Sequence, residues 1–142
     1  MKKVKKAKIQ ATYDGKTQEV LHILYTGWPD HCPADSVAIC REVRAIVMKN
    51  FDKKPIIVHC SAGVGRTGSY VAIEMCVTKL KAKETLSVAE MVKSLRDQRM
   101  GAIQNDQVGG FLRSAAGFAA SDSGQISAGS IDLALDLVHL MS

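Results

Sequence analysis

The chain has 142 residues and a mass of 15.3 kDa, near the common size of a single domain. Hydrophobic residues make up 46% and charged residues 23%, a globular mixture that excludes a wholly disordered or fibrous protein. No apolar run approaches the ~20 residues that cross a bilayer, and the lysine-rich start lacks the apolar stretch of a secretory signal. The formal net charge of +5 is unevenly spread. Residues 1–107 carry 18 basic and 11 acidic groups, whereas residues 108–142 carry one basic and three acidic groups. The basic part favours an anionic partner. Cys32, Cys40, Cys60 and Cys76 lack the CxxC spacing of a zinc or redox motif. A chain this large and apolar does not depend on disulfide staples, so the cysteines point to a reducing, cytoplasmic setting.

In chain order, Lys2, Lys3, Lys5, Lys6 and Lys8 form a basic run, read as a solvated strand edge rather than a nucleic-acid patch. Ile9, Ala11 and Tyr13 alternate with polar residues, as a half-buried strand does. Asp14-Gly15 is a hairpin turn signal, and Val20 to Tyr25 is the returning strand. Pro29 and Pro33 place the next stretch in a loop. Asp35 or Ser36 caps a helix to about Asn50, with Val37, Cys40, Val43 and Val47 on its buried face. Pro55-Ile56-Ile57-Val58 has the short apolar pattern of a buried parallel strand. A glycine-rich turn leads into a helix through Tyr70, Ile73, Val77 and Leu80. A further helix opens at Ser87, where Glu90 completes a capping box, with Val88, Met91, Val92 and Leu95 as its apolar stripe. Composition changes near Gln107. Between Ser114 and Ser130, 13 of 17 residues are Ser, Ala or Gly, the make-up of a flexible linker. Ile131 to Met141 is apolar with Asp132 and Asp136 interspersed, and reads as a short helix packing on the domain.

The chemistry concentrates in His59-Cys60-Ser61-Ala62-Gly63-Val64-Gly65-Arg66-Thr67-Gly68. A strand ends at His59 and a helix begins near Gly65. Glycines in the turn permit positive φ and close backbone approach. Successive N–H groups in such a turn converge on one point, and the helix dipole adds positive potential there. Arg66 supplies a planar fork for two phosphate oxygens. Cys60 sits at the lip of this oxyanion cradle. A thiol of pKa ~8.5 is roughly 3% thiolate at neutral pH, and one near 5.5 is roughly 97%. The ~4 kcal/mol that separates them is within reach of a helix terminus, an arginine and several N–H donors. Such a thiolate attacks a phosphate ester and forms a thiophosphoryl intermediate.

The string resembles the signature of the protein tyrosine phosphatases, and Ser61-Ala62 with Thr67-Gly68 resembles the tyrosine-specific branch. Tyr25-Thr26-Gly27-Trp28-Pro29-Asp30-His31 resembles the family's mobile loop with its general acid. Arg96-Asp97-Gln98-Arg99-Met100-Gly101-Ala102-Ile103-Gln104 resembles the segment that positions the hydrolytic water. The resemblance covers most of residues 8–107. It implies an α/β, three-layer fold with a central mixed or parallel sheet between helices. It also implies a hydrolase that removes phosphate from tyrosine in proteins.

By the same resemblance, Cys60 is the nucleophile, and Arg66 with the 61–65 loop binds the phosphate. Asp30 is the acid and then the base, Thr67 eases departure of the Cys60 sulfur, and Gln104 orients water. His59 supports the loop, and Trp28 with Pro29 forms the hinge of the acid loop. No metal or organic cofactor is called for, and the implied partner is a phosphotyrosine protein rather than nucleic acid.

The sequence also departs from the family pattern. The family's domain is longer, and nothing in residues 1–29 matches its tyrosine loop, so N-terminal strands of the sheet are expected to be missing. Cys32 stands where glycine is usual, the acid loop is one residue shorter, and Gln107 follows Gln104 by three residues instead of four. The expected division is a partial catalytic domain over residues 1–107 and an atypical tail over 108–142. The alternatives are an inactive phosphotyrosine-binding module and a truncated fragment that does not fold alone.

Overall fold

The computed structural model describes residues 3–29, 32, 34, 36–84 and 87–104. The linker and apolar segment expected after Ser114 lie outside the described residues, as do Asp30, His31, Pro33, Asp35 and Gln107.

The chain opens with an antiparallel hairpin of β1 (Val4–Tyr13) and β2 (Lys16–Tyr25). Asp14 and Gly15 form its two-residue turn, with φ of 48° and 70°. Positive φ at both positions is what a turn matching the strands' right-handed twist requires, and Asp-Gly supplies it at small cost. The ladder runs from Val4 opposite Tyr25 to Tyr13 opposite Lys16, so both strands are longer than the sequence pattern implied. Most of the hairpin is exposed, including Ile9, Val20, Leu21 and Leu24.

Helix α1 (Val37–Lys49) starts where the capping signal placed it, with the Ser36 hydroxyl accepting from Ile39 N–H at 3.3 Å. Of its expected buried face, Cys40 is buried while Val43 and Val47 are half-buried. At the far end, Asn50 Nδ2 donates to the Ile46 carbonyl at 2.6 Å. Helix α2 (Gly65–Lys81) is the central element, with Thr67, Gly68, Ser69, Val71, Ala72, Ile73, Glu74 and Cys76 all buried. Helix α3 (Val88–Gln98) begins at the expected capping box, where the Ser87 hydroxyl accepts from Glu90 N–H at 3.3 Å.

Residues 55–58 differ from expectation. They pair with no neighbour among the described residues, and Ile57 is 57% exposed. The apolar run is suited to a strand, but a strand exists only as part of a ladder. The hairpin's two strands pair with each other and not with this segment. The described sheet is therefore two-stranded and antiparallel, and the mixed or parallel sheet is not assembled within these residues. The α/β character stands, as an open fragment.

The core lies around α2. Val71, Ala72, Ile73 and Cys76 pack with Cys40 of α1, Met91 and Leu95 of α3, Ala34, and Ala102 and Ile103 of the segment after α3. Trp28 and Val58 pack against its edge, which ties both flanks of the cradle to the same apolar cluster. Beneath the cradle helix lies a buried ion pair that the sequence did not reveal. Arg44 Nε is 2.9 Å from Glu74 Oε2, and the two side chains are 14% and 4% exposed. Burial pushes the Glu74 carboxyl above its usual range, opposed by Arg44. Tyr70 is pushed well above the ordinary phenol value, chiefly by burial and then by the Glu74 charge.

Candidate active site

The cradle is built where the chain turns from the extended 55–60 segment into α2. Gly63 has φ of +71°, a conformation that glycine adopts without strain. Val64 caps α2 through its backbone alone, with no side-chain cap. The N–H groups of the first turn therefore have no intrahelical acceptor and remain available to an anion, with the positive end of the helix dipole behind them.

Cys60 is half-buried at the lip of this turn. Burial works to raise its pKa. The Thr67 hydroxyl, the Thr67 and Gly63 N–H groups and the Arg66 charge work the other way and prevail, so the thiol lies below its ordinary value. The other buried thiols behave oppositely, since burial pushes Cys40 and Cys76 up to about 11. Thr67 is 3% exposed, which keeps water from competing for its hydroxyl. Ser69 closes the next turn, with Oγ donating to the Gly65 carbonyl at 2.8 Å.

Arg66 reaches across the cradle and donates from Nη1 to the Trp28 carbonyl at 3.2 Å. Trp28 in turn donates from Nε1 to the Cys32 carbonyl at 2.9 Å. Arg66 at the start of α2 and the Trp28 backbone are thus directly joined. Pro29 is exposed beside Trp28, and Asp30 itself lies outside the described residues.

Gln104 reaches the same place from the other side. A Cβ added to Gly65 would lie 2.5 Å from Gln104 Oε1, so the glutamine side chain rests directly over the start of α2. A Cβ at Gly68 would lie 2.9 Å from the Ile103 backbone nitrogen. The two glycines let the 102–104 segment lie flat on the helix. Ile103 N–H donates to the Val64 carbonyl at 3.1 Å. Ile103 has φ of +63°, a costly conformation for a β-branched residue. Arg96 holds it there, donating from Nε to the Ala102 carbonyl at 3.0 Å and from Nη2 to the Ile103 carbonyl at 2.8 Å.

Cys60, Gly63, Gly65, Arg66, Thr67, Gln104 and Trp28 are therefore gathered at one end of α2. Ser61 and Ala62 form the exposed outer part of the loop, and Val64 is half-buried. His59 is exposed, and its ring lies parallel to that of His22 on β2, with centroids 6.1 Å apart and planes 12° apart. Sequence reading assigned no role to Arg96, His22 or the Trp28 carbonyl. Only Arg96 had a sequence signal, its place at the head of the 96–104 segment that resembles a family motif.

The family model described as protein-tyrosine phosphatase matches residues 2–115. The chain belongs to the protein-tyrosine phosphatase family. It is 40% identical over 94 residues to the protein-tyrosine-phosphatase PTP1 of Arabidopsis thaliana, covering 64% of this chain and 28% of that protein. It is 43% identical over 89 residues to the human receptor-type tyrosine-protein phosphatase C, covering 61% of this chain and 7% of that protein.

Among solved structures, the Trypanosoma cruzi protein tyrosine phosphatase TcPTP1 superposes with a TM-score of 0.71 at 26% identity, covering 89% of this chain and 44% of that one. The Trypanosoma brucei protein tyrosine phosphatase TbPTP1 gives 0.75 at 24% identity, covering 84% and 43%, and speaks to the fold alone. The chain thus spans less than a third of the curated relatives named here and under half of the solved ones. Among the described residues, no helix is long and apolar enough to cross a membrane.

Proposed function

We propose that this chain carries the phosphoryl-transfer half of a protein tyrosine phosphatase and acts on phosphotyrosine in proteins. One observation carries the proposal. The thiol of Cys60 is held below its ordinary pKa by Thr67, Gly63 and Arg66 at the end of an uncapped helix. A thiolate there faces a site built for an anion, which suits nucleophilic attack on a phosphate ester.

In the first step the Cys60 sulfur bonds to phosphorus and the bond to the phenolic oxygen breaks. Asp30 gives its proton to that oxygen. The loop N–H groups and Arg66 hold the equatorial oxygens, whose charge the site stabilises without reorganising. In the second step Gln104 orients a water and Asp30 takes its proton. The water oxygen bonds to phosphorus, and the sulfur leaves as a thiolate stabilised by Thr67. Arg66 serves both halves, since its hold on the Trp28 carbonyl couples phosphate binding to the base of the loop that carries Asp30. The catalytic unit is assigned to residues 1–107 and the tail to 108–142. The free cysteines support a reducing, cytoplasmic setting for this segment.

The test is turnover of a small aryl phosphate by the purified chain. Cys60→Ser abolishes it, and Asp30→Ala lowers kcat far more than it raises KM. Vanadate or phosphate binding without turnover would replace the enzyme reading with that of a phosphotyrosine-binding module.

A further inference from the structure

Arg96, in the last turn of α3, directs its guanidinium at backbone. Nε donates to the Ala102 carbonyl at 3.0 Å and Nη2 to the Ile103 carbonyl at 2.8 Å. These carbonyls flank the Ile103 Cα, so one rigid planar fork fixes the dihedral angles of that residue. The constraint falls where it is needed. Ile103 has φ of +63°, a conformation that a β-branched residue does not hold unaided. Its N–H is held by the Val64 carbonyl at 3.1 Å, and its side chain is buried in the core. With both ends of Ile103 anchored, its φ alone decides where the chain goes next. The next residue is Gln104, whose Oε1 lies over the start of α2, 2.5 Å from where a Cβ on Gly65 would stand. A return of φ to the ordinary negative range would swing Gln104 away from that place.

We infer that Arg96 is a positioning residue for the second chemical step: by holding Ile103 in the left-handed region it keeps the Gln104 amide at the mouth of the cradle. The inference rests on the reading of Cys60 as nucleophile and Gln104 as the group that orients water. In that step the water oxygen bonds to phosphorus, its proton passes to Asp30, and the P–S bond breaks with the electron pair left on the Cys60 sulfur. The first step does not depend on Arg96. Its groups are Cys60, Arg66, Asp30 and the N–H groups of the turn, and none of them is bonded to Arg96. The Val64 carbonyl also accepts from Gly68 N–H at 3.1 Å, so the start of α2 keeps its own helical bond if Ile103 moves. Loss of Arg96 therefore slows hydrolysis of the phosphorylated enzyme and spares its formation.

The experiment compares the full chain with Arg96→Ala, Arg96→Lys, Gln104→Ala and the double variant of Arg96→Ala with Gln104→Ala. Each is mixed rapidly with p-nitrophenyl phosphate. The burst of p-nitrophenol reports phosphorylation of Cys60, and the steady release that follows reports hydrolysis. In Arg96→Ala steady release falls roughly 10-fold, within what a displacement of about 1 Å at a positioned group costs. KM falls with kcat, so kcat/KM, which reports only the steps through phosphorylation, is retained. Arg96→Lys keeps a donor without the fork and lies between Arg96→Ala and the parent. In the Gln104→Ala background Arg96→Ala adds little, because both changes remove the same placed amide. A parallel loss of kcat/KM in Arg96→Ala, or full additivity in the double variant, marks a merely structural role and overturns the inference. Hydrogen exchange at the Ile103 amide is read on the same chains without substrate, and is faster in Arg96→Ala than in the parent. Unchanged protection there overturns the inference whatever the turnover. A parent chain that releases no p-nitrophenol fails the functional reading alone, since exchange at Ile103 still decides whether Arg96 holds the segment.

Discussion

Removing the Thr67 hydroxyl is the sharpest perturbation of the cradle. It is the strongest of the groups that lower the Cys60 pKa, ahead of the backbone donors and Arg66. A hydrogen bond to a charged group contributes ~1.5–3 kcal/mol, and solvent screening at a half-exposed sulfur favours the lower end. Losing stabilisation of the thiolate at the lower end of that range raises the Cys60 pKa in Thr67→Ala. Well below both pKa values the thiolate fraction then falls ~10-fold. The more basic thiolate is also the better nucleophile, with a Brønsted slope of ~0.4–0.5, so alkylation slows only ~3–4-fold. The assay is the pH dependence of iodoacetamide alkylation at Cys60 in a Cys32→Ser background, with Cys40 and Cys76 shielded by burial. The midpoint should move up in Thr67→Ala and stay near the parent in Thr67→Ser. The sign follows from a depressed pKa: the thiolate persists as pH falls until the folded-state value is reached, and Thr67→Ala shortens that window from below. An unchanged midpoint in Thr67→Ala would refute the role given to the hydroxyl.

Three further perturbations probe the supports. Gly65→Ala places a methyl against the Gln104 side chain and not against backbone, so thermal stability is retained while hydrolysis of the phosphorylated enzyme slows, read as a larger burst in aryl phosphate turnover. Gly68→Ala instead meets the Ile103 backbone nitrogen, and overpacking of this kind lowers stability by ~1–3 kcal/mol, measured by denaturant unfolding. Arg44→Ala strands the Glu74 carboxylate in the core beneath the cradle helix. Breaking such a pair costs ~3–5 kcal/mol, and lowering the pH should recover part of the loss as Glu74 is protonated.

The hairpin, the three helices and their caps were legible because each is written locally. Asp14-Gly15, Ser36 and Ser87 mark their own turns and termini whatever surrounds them. Pro55–Val58 was not, because its pattern describes a strand whose ladder must come from residues elsewhere in the chain. The cradle was equally local: Gly63, Arg66 and Thr67 lie within seven residues of Cys60, and backbone geometry does the rest. The supports were hidden because they cross the fold. Glu74 meets Arg44 across 30 positions, and Arg66 meets Trp28 across 38. The strained φ of Ile103 is invisible in a sequence, since isoleucine signals the opposite preference. Arg96 compensates for it through two backbone carbonyls, a contact that no residue pairing encodes.

The central claim is that Cys60 bonds to phosphorus. Mixing the chain with a phosphotyrosine peptide, quenching in acid within the first turnover, and mapping phosphate by mass spectrometry tests it directly. Phosphate on the sulfur of Cys60, absent in Cys60→Ser and longer-lived in Gly65→Ala, is the predicted result. Dephosphorylation of the peptide by the parent chain with no phosphate ever found on Cys60 would contradict it.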